Sequence, residues 1–441
     1  MTNEAYWRRD KSAVWHPYSY IADVEAEPFP VIVRGKGVYL FDADGNRYID
    51  GISSWWACNL GHGHPRIVEA IKRQAETLQH SMIGGLSHNT IIELSERLIA
   101  VCPTGLTRAF YASDGSSAVE AGLKIAVQYW RNVGKAQKTG FASLEGGYHG
   151  DTLGAVSVGM VESFHSVCRP LLFDTHKAVS PNCRQCPMGR KPGACDIECF
   201  SSMEDILAEH HDTLAAVIVE PLNQAAAAMR IYPARYLSRL SALCQEHGVL
   251  LIADEIAMGY GRGGTMFACE HASITPDIMC LGKGMAAGYL PISATVVTDD
   301  IYSSFRDQPH ADRTFYHGHT FTGNPIAAAA AIETLKVYED ERILENMAPL
   351  IESLASHLSA FADMDMVVDV RQVGMVGAIE TDTPSDPTFT RRVCTETRKR
   401  GALLRPLGNT LYLWPPLNIT HQELADLSEI LMDSMLQVRR T

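Results

Sequence analysis

The residues of this 441-residue chain best suited to chemistry are a lysine and an aspartate, each at the carboxyl end of an apolar run. Lys283 follows PDIMCLG, and Asp254 closes GVLLIAD. An amine and a carboxylate at the ends of buried strands are what pyridoxal phosphate demands of a protein. The lysine bonds the cofactor, and the aspartate keeps the pyridine nitrogen protonated so that the ring accepts electrons. Taken singly, a strand-end aspartate is usually a cap or an ion-pair partner, and a lysine after a strand is usually solvated. The reading therefore depends on what surrounds the pair.

The elements needed to position them are legible. TRAFYAS, LAAVIVEP, GVLLIADE and DIMCLG read as short strands, and helical stretches such as SSAVEAGLKIAVQYWRNVG and ARYLSRLSALCQEHG lie between them. This alternation predicts an α/β fold: a large domain with a mostly parallel central sheet covered by helices, and ligands at the strand carboxyl ends. Upstream, VIVRGKGVYLFDADGNRYID reads as two strand-like runs joined at Asp44-Gly45, a hairpin signal. Downstream the pattern becomes helix, strands and a last helix opened by a capping box, Thr420 with Glu423. The expected organisation is an N-terminal segment, 1–60, joining the small domain, a large cofactor-binding domain, 61–334, and a smaller α+β domain, 335–441.

Further motifs lie around the strand ends. In YASDGSSAVEAGLK, Gly115 permits a tight turn, and the helix start at Ser116 offers free amides to a phosphate. An ordinary capped helix would look the same. EGGYHGDT places Tyr148 and His149 on a glycine-rich turn with Asp151 behind; an aromatic ring there can stack on a flat heterocycle. Glu220 ends VIVE before a proline, where it can pair with an arginine, orient the ring or close the strand. Arg262 and Arg405 sit beside turn residues, and arginine suits bidentate carboxylate capture, although a surface ion pair is commoner. HGHTFTGNP, with Gly318, His319 and Thr320, precedes an alanine-rich helix. The Trp55-Trp56 doublet is costly to leave exposed and reads equally as pocket or core.

The net charge of −13, with lysine and arginine scattered, argues against sequence-blind binding to nucleic acid or an anionic membrane. MTNEAYWRRDKSAVWHPYSY holds no apolar signal stretch, and no apolar run is long enough to span a bilayer, so a cytoplasmic protein is expected. Of eleven cysteines, four cluster as Cys183-x2-Cys186 and Cys195-x3-Cys199. Two close pairs flanking a Pro/Gly loop resemble a structural zinc knuckle with a short spacer; reduced loop thiols are the alternative.

In this order the motifs resemble the class III, ω-amino-acid type aminotransferases, a branch of the fold-type-I pyridoxal-phosphate-dependent transferases. The strongest match is LIADEIAMGYGRGGTMFACEHASITPDIMCLGKG, and the likeness runs from WHPY to the last helix. Within that class, WHPY, SSWW, YHGD and RPLGNTLYLWPP are similar to the branch that aminates 8-amino-7-oxononanoate to 7,8-diaminononanoate in biotin biosynthesis. The resemblance implies that Lys283 bonds the cofactor and Asp254 pairs with its ring nitrogen, with Tyr18 counted beside them as catalytic. Gly115 and Ser116 would hold the phosphate, Thr320 would arrive from the other subunit of a homodimer, and Tyr148 would stack on the ring, with Glu220 and His319 also at the cofactor. Tyr18, Trp55, Trp56, Tyr148, Asp151, Arg262, Gly318, Arg405 and Tyr412 would line the substrate pocket, Arg405 taking the substrate carboxylate. The Trp doublet favours S-adenosylmethionine as amino donor, whereas GKGMAAGYLPISATVVT and HGHTFTGN look like the variant that uses lysine. Another ω-amino-acid or diamine aminotransferase would share the cofactor residues. Two departures stand out: Asp114 precedes Gly115 where a serine is usual, so its carboxylate should point away from the phosphate, and Ala225 to Ala228 replace glycines.

Overall fold

A computed structural model describes residues 1–191, 194–306 and 312–440. Near the N-terminus, β1 (Ile32–Lys36), β2 (Tyr39–Asp42) and β3 (Arg47–Asp50) form an antiparallel meander. The hairpin at Asp44-Gly45 turns with Gly45 at φ 88°, and the Asp42 carboxylate accepts the N–H groups of Asp44 and Asn46 across it.

The central sheet takes β4 (Leu106–Ala112), β5 (Gly140–Leu144), β6 (His176–Ala178) and β7 (Leu214–Val219). A two-stranded ribbon follows, β8 (Asn223–Gln224) with β9 (Arg230–Ile231). Then β10 (Leu250–Asp254), β11 (Ile278–Leu281) and β12 (Ser293–Thr298) complete the sheet, in the order β4-β12-β11-β10-β7-β5-β6. Every residue of β7, β10 and β11 is buried, as expected of strands covered on both faces, which is why they read as unbroken apolar runs. Only β12 runs against its neighbours. An antiparallel neighbour needs no helical crossover, so the stretch carrying Lys283 is a short connection between β11 and β12.

The parallel strands end on one edge, and the residues that follow them, Gly115, Tyr148, Glu220 and Lys283, gather there with Asp254. The helix Gly115–Asn132 packs on one face of the sheet through small residues; a Cβ on Gly122 would stand 3.3 Å from Cys280 Sγ. The alanine-rich helix Pro325–Asp340 packs against Pro65–Thr77 and Asn89–Val101.

Beyond it, β13 (Val367–Val373) and β14 (Val376–Thr381) form a hairpin, β15 (Ala402–Leu403) crosses to pair in parallel with β3, and β16 (Thr410–Leu413) pairs with β14. The helix Ile343–Ser359 packs on β13 and β14 and against the last helix, His421–Arg440. Thr420 and Glu423 bond each other reciprocally at that helix start. The division expected at 334/335 falls inside the helix Pro325–Asp340, and residue 441 lies outside the described residues.

Candidate active site

Lys283 begins a single 3-10 turn directly after β11, in the left-handed region at φ 40°. For a side chain with a Cβ this conformation is strained, and such strain is held where surrounding structure over-determines it. Its Nζ lies 4.9 Å from the centre of the Trp56 ring and has no hydrogen-bond or ion-pair partner among the described residues. Burial pushes the amine below the ordinary lysine range, while the charges of Asp254, Glu220 and Asp151 pull the other way.

Asp254 ends the neighbouring strand β10, paired in register with Cys280. One carboxylate oxygen accepts the Ile256 N–H at 3.1 Å, and the other lies 2.7 Å from His149 Nδ1. His149 and Asp254 are both buried. Nothing in the sequence marks this pairing, because His149 lies 105 residues before its partner and shares its motif with the more conspicuous Tyr148. Glu220 is buried behind them, its oxygens taken by the backbone N–H groups of Tyr148 at 2.9 Å and Ala225 at 3.1 Å. Desolvation raises its carboxyl to about 8.

The helix Gly115–Asn132 points its N-terminus into this group. Asp114 caps it, accepting from the Ser117 N–H at 3.0 Å and the Ser117 hydroxyl at 3.0 Å, so its carboxylate is turned onto its own helix. The N–H groups of Gly115 and Ser116 have no acceptor among the described residues, so they are free to receive an anion. A Cβ on Gly150 would come within 2.0 Å of Ser116 Oγ, so only glycine lets the Tyr148 loop approach. An unpartnered amine, a buried carboxylate and a free helix start, all at the same sheet edge, fit pyridoxal phosphate.

At the mouth, Tyr18 donates its hydroxyl to Asp151 Oδ1 at 2.6 Å and Tyr148 donates to Oδ2 at 3.0 Å. Burial first, then the bond to Asp151, raises Tyr18 to about 12. His165, another residue the sequence did not flag, lies 3.1 Å from Asp151 Oδ1. Arg405 stands 4.5 Å over the Trp55 ring and 5.7 Å from that of Tyr18, and its nearest polar partner is the Tyr18 carbonyl at 3.4 Å. No carboxylate pairs with Arg405 among the described residues. The same arginine borders a cavity of about 920 Å³ with a mixed lining, in which Met160, Val161, Phe164 and Leu407 stand beside Glu162, Arg169 and Lys177.

Ser53, Ser54, Trp55 and Trp56 all have positive φ, between 45° and 73°. A left-handed turn of four non-glycine residues costs about 1–2 kcal/mol per residue. Asp50 holds it, accepting from the Ser54 N–H at 3.0 Å and hydroxyl at 2.7 Å, and Ser53 donates to the Trp414 carbonyl at 2.7 Å. The turn splits the doublet: Trp55 is 40% exposed beneath Arg405, and Trp56 is 6% exposed. Trp56 stacks on Trp414 at 4.9 Å and donates to the buried Tyr412 hydroxyl at 3.2 Å. Arg262 packs on Trp414 at 5.0 Å and donates to the carbonyls of Met375 and Pro415. It is buried, which lowers it to about 9, and it meets the site through the two tryptophans.

Gly318, His319 and Thr320 are exposed on the loop before Pro325 and touch none of these residues within the chain. The four clustered cysteines are free thiols around a small void, and no group of three or more metal-binding side chains is placed to hold an ion among the described residues. Cys195 Sγ lies 3.6 Å from the Arg235 guanidinium.

The family model for class-III aminotransferases matches residues 20–435. The adenosylmethionine-8-amino-7-oxononanoate aminotransferase of Nitratidesulfovibrio vulgaris is 45% identical over 97% of this chain and 81% of its own length. That of Geobacter sulfurreducens is 43% identical over 94% of each. The crystal structure of the Methanocaldococcus jannaschii enzyme of that name superposes with a TM-score of 0.93 at 36% identity, covering 98% of this chain and 99% of the other. The omega transaminase from Pseudomonas jessenii, solved in complex with PMP, gives 0.92 at 29% identity over 98% of each chain. A family match over nearly the whole chain, on a fold that holds amine, carboxylate and free helix start at one sheet edge, places the protein among the class-III aminotransferases, which use pyridoxal phosphate.

Proposed function

We propose that the protein transfers the amino group of S-adenosylmethionine to 8-amino-7-oxononanoate, giving 7,8-diaminononanoate for biotin biosynthesis, as a cytoplasmic homodimer. The observation that carries the substrate reading is Arg405, a guanidinium seated on Trp55 and paired with no carboxylate among the described residues. The names of the full-length relatives support the same substrate.

Bound pyridoxal phosphate supplies an electron sink that acidifies the C–H bond beside the substrate nitrogen. Lys283, desolvated and facing Trp56, moves the proton at that carbon, a role worth about 10²–10⁴ in rate. Asp254, fixed by His149 and the Ile256 amide, would pair with the ring nitrogen. Gly115 and Ser116 would hold the phosphate, and Tyr148 would stack on the ring. Thr320, with Gly318 and His319, would complete the phosphate site of a second subunit, consistent with their exposure on one chain. Arg405 takes the substrate carboxylate between Trp55 and Tyr18, with Asp151 setting the two phenols. Trp56, Tyr412 and Arg262 support this wall from behind. The pairing of β15 with β3 supports grouping residues 1–60 with the C-terminal part.

The test is a pair of half-reactions with purified holoenzyme. S-adenosylmethionine, lysine and 4-aminobutyrate are added separately, and loss of the cofactor's visible band is followed. Bleaching by S-adenosylmethionine with recovery on 8-amino-7-oxononanoate is expected. Bleaching by lysine alone changes the donor, and no recovery with the amino ketone refutes the proposal.

A further inference from the structure

His165 closes the short helix Glu162–His165 and is 5% exposed. Its ring is bonded at both nitrogens. Nδ1 lies 3.2 Å from the Val161 amide nitrogen, and because an amide can only donate, Nδ1 carries the lone pair. Nε2 then bears the hydrogen of the neutral ring and donates to Asp151 Oδ1 at 3.1 Å. The ring also lies nearly parallel to Tyr148, with centres 5.9 Å apart and planes at 14°.

We infer that His165 is a positioning residue for the substrate wall, acting through Asp151; this rests on the function proposed above. The Asp151 carboxylate is half exposed and serves three donors from separate segments: Tyr18, Tyr148 and His165. His165 bonds the oxygen that also accepts Tyr18, leaving Oδ2 for Tyr148. Its ring also stacks against Tyr148, so one imidazole contributes both a hydrogen bond and a ring contact. The opposite tautomer would set N–H against N–H at Val161 and a lone pair against Asp151. The neutral Nε2–H form alone satisfies both neighbours.

The experiment compares His165→Phe, which keeps a ring against Tyr148 and removes the donor, with His165→Gln, whose amide restores a donor toward Asp151. Holoenzymes are assayed for kcat and KM with 8-amino-7-oxononanoate, and their bound-cofactor spectra are recorded. Loss of one hydrogen bond to a charged group predicts a KM rise of about ten- to a hundredfold in His165→Phe, with kcat within about threefold. The cofactor band is expected to be unchanged, and His165→Gln should recover to within about threefold of the parent KM. ¹⁵N NMR of the apo protein, with the His165 resonances identified by their loss in His165→Gln, should show the neutral Nε2–H tautomer. An unchanged KM in folded His165→Phe, no rescue by His165→Gln, or an Nδ1–H tautomer each overturns the inference. Should His165→Phe not fold, the glutamine variant and the tautomer decide. A parent enzyme that ignores 8-amino-7-oxononanoate refutes the substrate instead; His165 is then judged by the tautomer and by KM for whichever amine the parent accepts.

Discussion

Arg405 offers the sharpest test of the substrate wall. Its guanidinium spends itself on two aromatic faces and one long contact to the Tyr18 carbonyl, so its fork is free for a carboxylate. Arg405→Lys keeps the charge but removes the planar fork and much of the stacking on Trp55. A bidentate pair comprises two charge-assisted hydrogen bonds at about 1.5–3 kcal/mol each, of which lysine keeps one at best. The loss is therefore that of one such bond, about 1.5–3 kcal/mol, or about ten- to a hundred-and-fiftyfold in kcat/KM. The assay is kcat/KM for 8-amino-7-oxononanoate beside the same amino ketone lacking its carboxylate. Expected is the full loss for the first and less than about fivefold for the second, which never used the fork. Equal losses for the two ketones would show that Arg405 only supports the wall, and the reasoning would fail.

Three more outcomes are expected. Lys283→Ala should abolish turnover while the far-ultraviolet circular dichroism stays that of the parent, and near-normal turnover would remove Lys283 from the reaction. Ala228 sits at φ 64°, so Ala228→Gly relieves about 1–2 kcal/mol against about 0.5–1 of added chain entropy. A lower urea midpoint in that variant would contradict the strain argument. Glu220, raised from 4.5 to about 8 by burial, keeps its proton in the folded state while the unfolded chain loses it, so its stabilising contribution is full below 4.5 and is lost as pH rises to about 8. Apo Glu220→Gln should gain on the parent in thermal midpoint across that interval, and a constant difference would mean Glu220 is charged throughout.

The parts legible in the sequence are those set by burial and local chemistry. Strands β7, β10 and β11 are apolar along their whole length because both faces are covered, and this marked the sheet and the strand ends carrying Glu220, Asp254 and Lys283. The Asp44-Gly45 hairpin and the Thr420 cap rest on short-range geometry. What escaped depends on distant contacts. His149 meets Asp254 across two strand ends, and the left-handed turn at Ser53–Trp56 has no glycine or asparagine to announce it. The boundary expected at 334/335 lies within the continuous helix Pro325–Asp340.

The placement of β4 bears on how the molecule is made. It is an edge strand whose one neighbour is β12, and the free helix start follows directly from its end. At roughly 5–20 residues per second, the roughly 180 residues from β4 to β12 take about ten to forty seconds to leave the ribosome. Through that interval β4 has no sheet partner, and the nascent chain carries an open, partly apolar edge while most of the other strands emerge. Completion of the sheet thus waits on the arrival of β12, just after Lys283, and a chain truncated before β12 displays an aggregation-prone edge.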